Sequence, residues 1–90
     1  MRIIQTGDAA GFWTNDNRRL VLVRQINDTV WKIVPFHANN TARKQINVVS
    51  AELAWVMAKM FAVVVEAEIK GTIQKPTAEY LIAKLRLNNG

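Results

Sequence analysis

Residues 50–71, SAELAWVMAKMFAVVVEAEIKG, set the architecture of this chain. Ser50, placed just before an apolar run, is a helix N-cap whose hydroxyl can accept an orphan backbone N–H of the first turn. Glu52 follows in that turn, where the helix dipole favours negative charge. Glu52, Lys59 and Glu66 recur every seven residues, and Lys70 falls on the same stripe. Gly71 then closes the segment, with Lys70 in its last turn. A second reading ends the helix near Phe61 and continues as a strand, with Val63, Val65, Ala67 and Ile69 alternating with Val64, Glu66, Glu68 and Lys70. The β-branched run 63–65 favours that strand. Both caps and the polar stripe agree with one long apolar helix over about 50–70.

Working outward, the chain divides at this helix. Asp8, Asp16 and Asp28 lie before it, while Glu52, Glu66, Glu68 and Glu79 lie within or after it. Asp and Asn favour turns and caps because their short side chains bond nearby backbone, whereas Glu, Ala and Met enter helices at little cost. The first half therefore reads as β and the second as helical. Residues 2–5 form a short edge strand that 6–11 break, and Phe12-Trp13-Thr14 ends that strand or begins another. The clearest strand is 18–26, with 29–36 its partner across Asn27-Asp28, a two-residue connection suited to a tight hairpin. Pro35 points to an edge or a bulge, and 43–49 is one more strand. Pro76-Thr77 opens a short C-terminal helix over 77–87, capped by Thr77, with Ala78, Leu81, Ile82 and Leu85 on one apolar face. The expected fold class is α+β: an antiparallel sheet of three to four strands (residues 2–49) packed on the long helix, in a single domain over 1–90.

A chain of 90 residues that is 50% hydrophobic carries more apolar surface than a small domain easily hides. That surplus favours a homodimer or higher oligomer, with the apolar helix as the two-fold contact. No cysteine is present, which excludes disulfides and thiolate metal sites. Residues 1–8 lack the apolar stretch of a signal peptide, and the longest apolar segment, 53–65, is interrupted by Lys59 and too short to span a bilayer. The expectation is a cytoplasmic protein with no membrane partner.

The inventory for catalysis is poor. Ser50, the one serine, is explained as a cap, and His37, the one histidine, as a loop residue. A metal site needs three or four convergent ligands, and none converge here. Glu66 and Glu68 read as a solvated face, and the four glycines are isolated. No enzyme, cofactor or metal is expected.

The net charge of +5 and pI of 10.1 are compatible with ordinary solubility and also with a polyanionic partner. Arg18, Arg19, Arg24, Lys32, Arg43 and Lys44 all lie in the β half, interleaved with Trp13, Trp31 and Phe36. Cations neutralise phosphates and flat rings stack on unpaired bases, so these six cations, with Trp13 as first stacking residue and Trp31 as second, are the candidate nucleic-acid contacts. Leu20-Val21-Leu22-Val23 places apolar groups on both faces of its strand, which predicts a sheet covered on both sides and a platform confined to its ends.

The string over 30–61, VWKIVPFHANNTARKQINVVSAELAWVMAKMF, resembles the end of the positive-cofactor-four family of transcriptional coactivators. The shared pattern is an aromatic-x-isoleucine strand (Trp31, Ile33), a polar loop, a basic pair (Arg43, Lys44) leading a strand through Ile46 and Val48, and a helix opened by Ser50 and Glu52. The family's usual Lys-Gly is Lys44-Gln45 here, and 62–90 have no counterpart in it. The resemblance implies a small dimeric single-stranded-DNA binder. The expected function is a basic, non-enzymatic DNA- or single-stranded-DNA-binding protein acting through its sheet. The alternative is a protein–protein interaction module, such as an inhibitor or assembly adaptor docking on a larger complex.

Overall fold

Gly7-Asp8 is a hairpin turn rather than a break. Gly7 takes a left-handed φ of 59°, as the first position of a tight two-residue loop requires. It joins β1 (Arg2–Thr6) to β2 (Ala9–Trp13), with Thr6 opposite Ala9. In the computed structural model, which describes residues 1–89, three further strands complete one antiparallel sheet: β3 (Arg19–Gln25), β4 (Trp31–Pro35) and β5 (Ile46–Val48). The spatial order is β1-β2-β3-β4-β5. The sheet thus has five strands, not three or four; Ala9-Ala10-Gly11 is strand because the turn before it sets register. The β3–β4 connection is longer than two residues. Ile26 donates its N–H to the Val30 carbonyl at 2.8 Å, and the Asn27 side chain accepts from the N–H of Thr29 and of Val30. Asn27 closes this loop with its side chain, not with a positive φ. Pro35 lies beyond the end of β5, where it needs no second strand neighbour.

Helix α1 (Ala51–Ile69) starts where Ser50 accepts the N–H of Leu53 at 3.1 Å. It ends at Lys70, with Gly71 at a φ of 78°. There the Thr72 N–H reaches the Ala67 carbonyl and the Gly71 N–H the Glu68 carbonyl, a Schellman closure. Residues 63–65 are helical. α2 (Lys75–Asn89) begins two residues earlier than the sequence suggests. The Gln74 carbonyl takes the first helical bond, from Ala78, and Pro76 sits inside the first turn, where its missing N–H costs nothing. Thr77 is therefore within the helix, not its cap. Ala78 and Ile82 are buried, whereas Leu81 is 37% exposed and leaves the face expected for it.

α1 lies across one face of the sheet, and α2 packs on α1. Ala54, Met57, Ala58, Phe61, Ala62 and Val65, which recur with the helical period on one face, form the buried stripe of α1. They meet Phe12, Val21, Val23, Ile33, Ile46 and Val48 from the strands. Trp55 joins them, its ring 6.1 Å from Phe12. Full burial of a side chain such as Phe61 contributes about 1.5–3 kcal/mol. No described helix is long and apolar enough to cross a membrane.

Candidate nucleic-acid interface

The opposite face of the sheet has no helix against it among the described residues. Directly paired residues of an antiparallel sheet point to the same side, so the register assigns this face row by row. The first row is Arg2, Trp13 and Arg19; the second is Ile4, Gly11, Leu22 and Val34; the third is Thr6, Ala9, Arg24, Lys32 and Asn47. Successive rows lie two residues apart along each strand, so the two cationic rows are about 13 Å apart with an apolar strip between them. The strip forms an open groove of about 440 Å³, lined by Ile4, Gly11, Trp13, Leu22, Arg24 and Lys32 among others.

Gly11 is what lets Trp13 lie down. The indole Nε1 of Trp13 occupies the space a β-carbon on Gly11 would need, and Leu22 is the next neighbour at 3.3 Å. The ring is partly buried on the sheet and lines the open groove. A β-bulge at Phe12/Trp13 sets the register here. It also brings both Leu20 and Val21 into the core, each fully buried. Of the four consecutive apolar residues in β3, only Leu22 reaches the open face. The sheet is therefore covered on one side only, and the platform runs across its middle rather than being confined to its ends.

Charge separates in the same way. Arg2, Arg19, Arg24 and Lys32 are all the cations in the five strands, no strand carries a carboxylate, and all four fall on the open face. Arg24 and Lys32 are cross-strand neighbours with no ion pair or hydrogen bond among the described residues. Arg19 sits 4.7 Å from the centre of the Phe36 ring, and its Nε donates to Asn40 Oδ1 at 3.4 Å. Arg2 donates to Asn17 Oδ1. Each of these two is held by neutral acceptors or a ring, so its charge is not cancelled.

The remaining sequence candidates lie elsewhere. Arg18 donates to the Ala38 carbonyl and steadies the 37–41 loop. Trp31 stands opposite Val48 on the α1 side of the sheet and packs against the core, on the face opposite Trp13. Arg43 is 8% exposed; it donates to the Phe36 carbonyl at 3.1 Å and pairs with Glu68 at 3.2 Å, tying the β4–β5 connection to the end of α1. Its charge is balanced within the fold. Lys44 is exposed and lies outside the five strands, and its backbone carbonyl accepts from Arg86 of α2 at 2.6 Å. Glu66, the other half of the acidic pair, binds Lys70 at 3.7 Å. Sequence reading missed Arg2, Ile4 and Gly11 as site residues. The spacing Gly11-x-Trp13 was the signal available, because residues two apart in a strand share a face.

No protein-family model, curated protein or solved structure matches the chain.

Proposed function

We propose that this chain is a small non-enzymatic protein that binds single-stranded nucleic acid on the open face of its sheet. One observation carries the reading: every strand cation and the flat Trp13 ring share one uncovered face that holds no strand carboxylate. A single strand laid across it stacks a base on Trp13, rests its neighbours on Leu22 and Val34, and meets Arg2 and Arg19 on one side and Arg24 and Lys32 on the other. A duplex hides its bases from such a ring, so unpaired strands fit better. The resemblance to the positive-cofactor-four family supports the same class of ligand, although Arg43 of its basic pair is engaged by Glu68.

The test is fluorescence anisotropy of a labelled single strand at low salt. Trp13→Ala is expected to weaken binding by about 1–3 kcal/mol, as the loss of one stacked base does. Absence of binding by the parent chain at low salt refutes the proposal.

A second reading, an interaction module, is favoured by a separate feature. Val56, Met60, Val63 and Leu81 are exposed along a groove between α1 and α2, flanked by Lys59 and Lys84. A stoichiometric protein partner retained after nuclease treatment, and lost on Met60→Glu, supports that reading.

A further inference from the structure

We infer that β1 pairs with β1 of a second copy of this chain, joining two sheets into one and doubling the open face. β1 is the terminal strand of the sheet, and all five of its residues are exposed. Ile3 is 55% and Ile4 48% exposed, and alternation places them on opposite faces. Apart from the charged Arg2 at its start, the strand contains no proline, lysine or bulge, the devices that usually blunt a free edge. The other edge, β5, is only three residues long.

The sequence of β1 suits a two-fold axis. Its five residues are centred on Ile4. An antiparallel pairing about Ile4 sets Ile4 against Ile4, Ile3 against Gln5 and Arg2 against Thr6, so every residue is paired and no like charges meet. Shifting the axis leaves part of the strand unpaired. The α1 groove is a poorer seat for a second copy, because Lys59 and Lys84 already flank it and a two-fold there adds two more ammonium groups to one seam.

The consequence reaches the site. Ile4 and Thr6 line one end of the open groove. Across the seam the apolar row becomes Val34-Leu22-Gly11-Ile4 followed by Ile4-Gly11-Leu22-Val34 of the second copy. At strand spacing this lengthens the strip from about 14 Å to about 34 Å. The longer surface serves a nucleic acid only if the proposed function holds; the pairing itself does not depend on it.

The absence of cysteine allows single-thiol scanning of the chain without nucleic acid. Under mild oxidation, Ile4→Cys is expected to give mainly a covalent dimer of twice 10.2 kDa, while Val63→Cys on the α1 groove stays mainly monomeric. Light scattering is expected to find the parent chain dimeric, and Ile4→Lys to weaken the dimer at least about tenfold, with the far-UV circular dichroism of the fold retained and the thermal melt no longer rising with protein concentration. A monomeric parent chain, a dimer untouched by Ile4→Lys, or cross-linking that favours Val63→Cys overturns the inference. A β1 dimer that binds no oligonucleotide keeps it and refutes the proposed function instead.

Discussion

Both faces of this sheet carry apolar side chains, yet α1 covers one and leaves the other open. On the covered face Phe12, Val21, Val23, Ile33, Ile46 and Val48 are buried with no charge among them. On the open face Ile4, Leu22 and Val34 run between two rows that hold every strand cation. The difference shows that composition alone does not decide which face is covered. A helix laid over Arg24 and Lys32 would have to desolvate two unpaired charges, which costs far more than burying Leu22 returns. Charge placement therefore keeps this face open.

Substitutions on each face put this contrast at risk, the largest expected effects coming from the covered side. Phe61→Ala under the sheet should lower unfolding free energy by about 3–5 kcal/mol in urea denaturation. Leu22→Ala on the open face should cost less than half of that and should weaken oligonucleotide binding instead. If the two losses are equal, the open face is part of the core. Arg43→Met strands Glu68 at a buried position and should cost about 3 kcal/mol or more, with oligonucleotide affinity per folded molecule unchanged. A loss of affinity without a loss of stability would return Arg43 to the interface.

Gly11→Ala probes the open face more finely. The added methyl collides with the Trp13 ring and should cost about 1–3 kcal/mol while lifting the indole off the sheet, seen as a shift in its fluorescence. A silent substitution would mean that Trp13 does not rest on Gly11.

The smallest effect concerns pH. Burial, reinforced by Arg43 and Lys75 and opposed by Glu68 and Glu79, holds the His37 imidazole below its ordinary value of 6.5. The folded chain therefore keeps His37 neutral where the unfolded chain takes up a proton. This contribution is full above pH 6.5 and is lost as pH falls through the folded pKa. Thermal melts between about pH 8 and pH 5 should show a small decline that His37→Gln removes.

Local signals made part of this structure legible. Ser50 and Gly71 bracket the helical segment because capping is written in one or two residues. The strand cores at Val21, Val23 and Ile33 follow from β-branched runs between turn residues. What escaped depends on pairing at a distance. Arg43 finds its partner 25 residues away in Glu68, so its sequence neighbourhood gives no warning of burial. Trp13 and Trp31 look alike in sequence, and only the register puts one on the open face and the other against the core. The bulge that turns both Leu20 and Val21 inward also escapes the alternation rule, which is why β3 reads as apolar on both sides.

The most direct test of the open face is the salt dependence of binding to a single strand of about 16 nucleotides, compared between the parent chain and an Arg24→Ala/Lys32→Ala variant. Removing the cations that neutralise two phosphates of a single strand should flatten the slope of log affinity against log salt by about 1.4. The melting temperature should stay close to that of the parent, since neither cation has a partner among the described residues. An unchanged slope, with both proteins folded, would contradict the assignment of this face to nucleic acid.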